Sequence, residues 1–212
     1  MRSRFTGEIC AFGTASGTRI VIGRWEVSPL GSFADVMVER DDGHCVLLAP
    51  DERVAEYVSS TYWFDEVDIG PLTARRRERG LEVSHRRLAI DVRIGRRTTL
   101  GRLLRLVPRP VAASTAWATA IDPLARIAVR GVRTRGSAGN GRREWYGATD
   151  VHRLDAADAE LDGSPLGPMA ELWPPVRFGF GSAPRDPSIV AITTTIEELA
   201  QPSRRGPARR RQ

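Results

Sequence analysis

The chain has 212 residues, 41% of them apolar and 27% charged, a balance that suits one well-packed domain rather than a disordered chain. No run approaches the ~18–20 consecutive apolar residues of a membrane-spanning helix, and the basic opening MRSRFTGEIC reaches Gly7 and Glu8 without an apolar leader core, so a cytoplasmic protein is expected. All 32 basic residues are arginine, which excludes chemistry that needs a lysine amine: Schiff-base and pyridoxal-phosphate catalysis, and the Walker phosphate loop.

The formal net charge of +6 is unevenly placed. Residues 201–212, QPSRRGPARRRQ, carry five arginines and no acid, so residues 1–200 hold 27 basic against 26 acidic groups. The expected organisation is a single domain over 1–200 and a disordered Arg-rich tail over 201–212. Weak, nonspecific attraction of nucleic acid through 203–211 is one function open to that tail.

The first fifty residues read as β. FTGEICAF (5–12) and TRIVIGRWEV (18–27) flank the turn-like TASG, and FADVMVER (33–40) and HCVLLAP (44–50) flank Asp41-Asp42-Gly43, a strong hairpin signal. Within 33–40 the set Phe33, Asp35, Met37, Glu39 alternates with Ala34, Val36, Val38, Arg40, the pattern of a half-solvated strand. Asp51 then caps a short helix over about 51–60, with Val54, Tyr57 and Val58 on one stripe. WFDEVDIGPL (63–72) returns to strand, and the charge run TARRRER (73–79) reads as a solvated loop.

A long strand is expected from Leu81, with Leu88, Ile90, Val92 and Ile94 on one face and Arg87, Asp91 and Arg93 on the other. Leu81 and Val83 fall out of phase with that apolar set, which predicts a bulge near His85. The middle is helical: Thr98 caps TTLGRLLRLVP, and Ser114 caps STAWATAIDPLARIAV, where Asp122-Pro123 either breaks or restarts the helix. Strands return at 143–154, 176–182 and 188–199, with a turn-rich connection after the first of them. Strands, then helices, then strands, without βαβ alternation, predict an α+β fold: a curved antiparallel β-sheet or partial barrel with two or three covering helices.

The stretch RTRGSAGNGRREWYGATDVH (133–152) concentrates the polar chemistry. Its glycines, with Arg133, Arg135, Arg142 and Arg143 nearby, read first as a hairpin turn at Asn140-Gly141 and second as an anion nest. A phosphate cradle draws on a helix starting directly after the glycines, and a strand follows here instead. At period two, Glu144, Tyr146, Ala148, Asp150 and His152 share one face, so Tyr146, Asp150 and His152 are the candidate catalytic groups for acid–base chemistry. Arg87, Asp91, Arg93 and Arg143 are the candidate ligand-binding groups, provided their row and the Tyr146 row meet one cavity. The competing reading has both rows in solvent, pairing across strands. The scattered His44, His85 and His152 and the isolated Cys10 and Cys45 predict neither metal site, redox pair nor cofactor, and the thiols read as small buried hydrophobes.

The segments RFTGEICAFGTASGTRIVIGRW, FADVMVERDDGH and GNGRREWYGATDVH resemble a protein family of high-GC actinobacteria to which no activity is attached, and the resemblance extends to about residue 198. It implies a bacterial cytosolic setting and transfers no catalytic residue or cofactor. Three functions therefore stand open: a binding domain for an anionic or carbonyl small molecule in a barrel-like cavity, a cofactor-free enzyme using His, Asp and Tyr, and a nucleic-acid-associated protein acting through its tail.

Overall fold

Alternation of apolar side chains on both faces of the first strands builds one continuous curled sheet. The computed structural model describes residues 2–128, 134–138, 142–178 and 183–198; the predicted tail and the Asn140-Gly141 turn lie outside them. The chain runs β1 (Arg2–Thr14), β2 (Arg19–Val27), β3 (Phe33–Glu39), β4 (Cys45–Ala49), α1 (Glu52–Ser59), β5 (Glu66–Ile69), β6 (Thr73–Arg77), β7 (Gly80–His85) and β8 (Leu88–Arg97). There follow α2 (Thr99–Leu104), α3 (Arg109–Ala112), α4 (Thr115–Ala128), β9 (Arg135–Ala138), β10 (Arg142–Leu161), β11 (Ser164–Pro165), β12 (Met169–Ala170) and β13 (Ser188–Glu198).

The main path through the sheet is β5-β4-β3-β2-β1-β13-β10-β8-β7-β6, antiparallel except for the β4–β5 pair. The expected curved antiparallel sheet is present as a half-barrel, but among the described residues it dominates more than an α+β description implies, with four helices rather than two or three. Among the described residues no helix is long and apolar enough to cross a membrane.

One main core fills the inside of the curl. Cys10, Phe12, Ile20, Ile22, Val36 and Val38 from β1–β3 meet Leu81, Leu88, Ile90, Val92 and Ile94 from β7 and β8. Cys10 and Cys45 are buried free thiols, and burial pushes both above the ordinary thiol range, Cys45 to about 11, so they behave as inert hydrophobes.

Local differences from the sequence reading have simple causes. The phase slip before Leu88 is a hairpin, not a bulge: Arg86 and Arg87 form the turn between β7 and β8, closed by the pair His85–Leu88. The charge run at 73–77 is the sheet's end strand β6, where exposed Arg75 and Arg77 face water and blunt the edge while half-buried Arg76 pairs with Glu8 at 3.3 Å. The turn-rich connection after residue 154 is instead the second half of the 20-residue β10, which pairs with β13 and then with β8. Asp122-Pro123 does not end α4; the Asp122 carboxylate accepts from the backbone N–H of Thr134 and from its hydroxyl, tying helix to β9.

Helix α2 lies directly on β10. A Cβ added at Gly101 would stand 2.4 Å from the Val151 carbonyl oxygen, a backbone atom that cannot step aside. Gly101→Ala gains about 1 kcal/mol of helix propensity, but overpacking at a rigid contact costs about 1–3 kcal/mol. A lower midpoint in urea unfolding is the expected result.

Candidate functional site

The strands that supply the core with one face supply a cavity with the other. Ile9 and Ala11 of β1, Val21, Gly23 and Trp25 of β2, Phe33, Asp35 and Met37 of β3, and Val190, Ile192, Thr194 and Ile196 of β13 form its floor. These are alternate residues along each strand, as the period of two requires, and the register sets them in rows: Asp35 opposite Gly23, Gly23 opposite Ile9, Ile9 opposite Val190. The roof comes from Tyr57, Val58, Thr61 and Tyr62 at the end of α1 and from Val176, Phe178, Ala183 and Pro184. The cavity is partly open to solvent and has a volume of ≈ 100 Å³.

The roof is held by arginines. Arg142 donates to Ser60 Oγ (2.6 Å) and Thr61 Oγ1 (2.7 Å) and lies 5.1 Å over the Tyr57 ring. On the other side, fully buried Glu39 accepts from the Arg177 backbone N–H and from Arg177 Nε, each at 2.7 Å, and Arg19 pairs with it at 3.0 Å.

Polar groups are few in this cavity and tightly placed. Asp35 is 1% exposed and takes a hydrogen bond from Trp25 Nε1 to Oδ1 at 2.9 Å. Its Oδ2 has no partner among the described residues, and the same holds for two other buried atoms of the lining, Ser188 Oγ and Thr194 Oγ1. Burial raises the Asp35 carboxyl to about 7, the Trp25 hydrogen bond offsetting only part of the desolvation. A Cβ at Gly23 would meet both members of that pair, Asp35 Oδ1 at 2.5 Å and Trp25 Nε1 at 2.7 Å, so glycine there makes room for the contact.

The second polar cluster gathers where roof meets β10. Tyr146 donates to Glu144 Oε2 at 2.7 Å, Tyr62 stands 3.1 Å and 3.2 Å from the two Glu144 oxygens, and the phenol oxygens are 3.1 Å apart. Glu144 is 0% exposed. Desolvation pushes its carboxyl up, against hydrogen bonds from both tyrosines and the charge of Arg142, and pushes both phenols well above their ordinary range. Tyr146 sits opposite Thr194 in the register, and Asp35 is near enough to add to the upward push on Tyr62.

The structure separates the residues that sequence placed in one row. Residues 143–154 are extended as expected, but the register shifts between Ala148 and Asp150. Before the shift Tyr146 and Ala148, and after it Val151, pack with Val190 and Ile192 on the cavity side. Asp150 and His152 are thereby turned away, and neither lines the cavity. Asp150 accepts from Arg97 Nε at 2.8 Å and 3.0 Å, and His152 Nδ1 lies 3.1 Å from the Gly95 carbonyl with Nε2 3.7 Å from Asp150.

The candidate ligand-binding set also stands outside the cavity. Arg87 is bound to Asp162 (2.6 Å and 3.1 Å), to Asp68 (3.3 Å) and to Glu66, a structural knot at the β7–β8 turn. Asp91 is exposed and 3.8 Å from Arg77; Arg93 and Arg143 are exposed. The glycine loop at 139–141 lies outside the described residues; β9 and β10 on either side of it are antiparallel partners, with Ala138 paired to Arg142. Among the described residues no cluster of His, Cys, Asp and Glu could hold a metal ion.

Asp35, Thr194 and Tyr62 were missed by the sequence reading. The half-solvated reading of 33–40 does not single out Asp35. The available signal is that its own phase also carries Phe33 and Met37, which marks a strand covered on both sides.

No family model matches the chain, and no curated protein matches it. Among solved structures it is similar to acetoacetate decarboxylase from Legionella pneumophila subsp. pneumophila str. Philadelphia 1, at 10% identity over 93% of this chain and 85% of that one, with a TM-score of 0.43.

Proposed function

We propose that this protein binds a small, uncharged, largely apolar molecule carrying a carbonyl or hydroxyl group in the cavity between the β3-β2-β1-β13-β10 floor and the α1 roof. One observation carries the reading: three buried polar atoms of a largely apolar lining, Asp35 Oδ2, Ser188 Oγ and Thr194 Oγ1, lack partners among the described residues. A buried polar atom left unpaired costs about 1–3 kcal/mol, and three in one cavity are the pattern of a site completed by a ligand. An anionic ligand fits less well, since among the described residues no arginine or histidine lines the cavity and its acidic group, Asp35, would repel one.

Saturation-transfer NMR with 2-naphthol, 2-indanone and 2-naphthoate tests this. The two neutral compounds are expected to receive saturation from the protein and the carboxylate is not. Val21→Trp, which fills the cavity from its floor, is expected to abolish the signal while leaving the circular dichroism spectrum unchanged. Equal signals from the filled variant would place any binding elsewhere.

A further inference from the structure

Helix α2 is held to the sheet by one side only. Thr98 Oγ1 donates to the Val151 carbonyl at 3.2 Å, and Gly101 sits against the same carbonyl. Leu100 and Leu104, four residues apart and so on one side of the helix, pack against the cluster of Tyr146, Val151, Val190 and Ile192. The turn that follows is tied down as well: Ala112 is buried, and the Ala113 carbonyl accepts from Arg4 at 3.3 Å. The opposite side of α2 faces water with apolar side chains. Leu103 is 57% exposed and Leu106 79%, one turn apart through the bond from the Leu106 N–H to the Leu103 carbonyl, and Val111 of α3 follows at 44%.

Charge sets this surface apart. Residues 92–121 hold six arginines and no acid, although residues 1–200 as a whole are close to neutral. Arg102 and Arg105 flank the two leucines, both are exposed, and among the described residues neither forms an ion pair. By contrast, the exposed Arg2, Arg77 and Arg153 each have an acidic partner, in Glu197, Glu82 and Asp155. Leucines held in water between uncompensated cations are the make-up of a segment that lies on a bilayer with anionic headgroups.

We infer that the surface from Arg102 to Val111 docks on an anionic lipid bilayer. Leu103 and Leu106 enter the boundary between headgroups and acyl chains, and Arg102 and Arg105 pair with lipid phosphates. Two leucines and a few charges give reversible, salt-sensitive attachment rather than permanent insertion. Other occupants match the chemistry less well. A second copy would set arginine against arginine with no acid between them. A nucleic acid would satisfy the arginines but leave the leucines against phosphates. The surface is distinct from the cavity, because the same helix turns Leu100 and Leu104 the other way. Docking does not require an occupied cavity.

The test is flotation of the full chain with large unilamellar vesicles, made of phosphatidylcholine alone or of phosphatidylcholine with phosphatidylglycerol. The wild-type protein is expected to float with the anionic vesicles at low salt, and to stay behind when salt is raised or phosphatidylglycerol is left out. Residues 201–212 carry five arginines of their own, so every variant keeps them and only the α2 surface is changed. Leu103→Ser with Leu106→Ser is expected to weaken binding by about tenfold, and Arg102→Gln with Arg105→Gln by about tenfold. All four side chains are exposed, so the circular dichroism spectrum and the urea midpoint should hold in both variants. Leu106→Cys labelled with bimane, the native thiols being buried, should shift its emission to the blue on anionic vesicles. Attachment through 201–212 would not move that signal. Absence of wild-type flotation, wild-type binding in the leucine variant, or a label that stays in water overturns the inference. So does self-association that the leucine variant loses, which would make a second copy the occupant. Binding of duplex DNA without vesicle binding, weakened in the arginine variant but not in the leucine variant, overturns it in favour of nucleic acid.

Discussion

Asp35→Asn is expected to abolish a large fall in stability that the wild-type protein suffers between about pH 4 and pH 7. The sign follows from proton binding. Asp35 is raised from 3.8 to about 7 in the fold, so between those values the folded chain holds a proton that the unfolded chain has released. Stability is therefore complete below about pH 4, declines as pH rises, and levels off above about pH 7. About three pH units at 1.36 kcal/mol each gives a cost on the order of 4 kcal/mol at pH 8. Burial is the cause: a carboxylate with one hydrogen bond in an apolar wall is poorly solvated.

The other shifted groups do not obscure this. Glu144, also raised by burial, acts in the same direction, and His85, lowered by burial, acts in the opposite one; both cancel when variant and wild type are compared. Asp162, lowered to about 2 by Arg87 and Arg40, contributes stability that is lost only below the window. Urea unfolding at pH 4.5 and pH 8 should show Asp35→Asn gaining on the wild type by several kcal/mol over that interval. A parallel loss in both proteins would mean that Asp35 titrates as an ordinary surface acid.

How much of this was legible in the sequence depends on how far each feature reaches along the chain. The Asp41-Asp42-Gly43 hairpin, the Asp51 and Thr98 caps and the Leu88–Ile94 stripe are set by neighbouring residues, and each is found in the structure. Tyr146 lies on a strand whose extended character is plain from its sequence, and it lines the cavity. The row drawn from Tyr146 to His152 failed through one extra residue: the shift between Ala148 and Asp150 turns the following side chains over. Such a shift is fixed by pairing with β13, forty residues away, and leaves no local mark. Asp35 was hidden for a related reason. Whether an acid in a strand meets water or a cavity depends on what covers the sheet, and the cover here comes from Tyr57, Val58, Thr61 and Tyr62 and from Val176, Phe178, Ala183 and Pro184.

Part of that cover hangs on a single buried carboxylate, and removing it should be the most damaging change in the wall of the cavity. Glu39 is 0% exposed, Arg19 is 5% exposed, and the pair at 3.0 Å lies away from water. Arg19 also donates to the Pro174 carbonyl at 3.3 Å, and Glu39 takes the Arg177 backbone N–H. Together they fasten residues 174–177 to β2 and β3, and that segment carries Val176 and Phe178 over the ligand space. Glu39→Leu leaves the Arg19 guanidinium buried without its counter-charge, and breaking a buried pair in this way costs about 3–5 kcal/mol. Arg19→Met with Glu39→Leu removes both charges and should recover much of that loss in urea unfolding, because apolar replacements of similar bulk often match a buried pair. Binding should not recover with it. The double variant still lacks the anchors at Pro174 and Arg177, so its affinity for 2-naphthol is expected to stay as low as in Glu39→Leu. Stability restored together with full binding would show that the 176–178 wall holds its place without the carboxylate, and that Glu39 serves the fold alone.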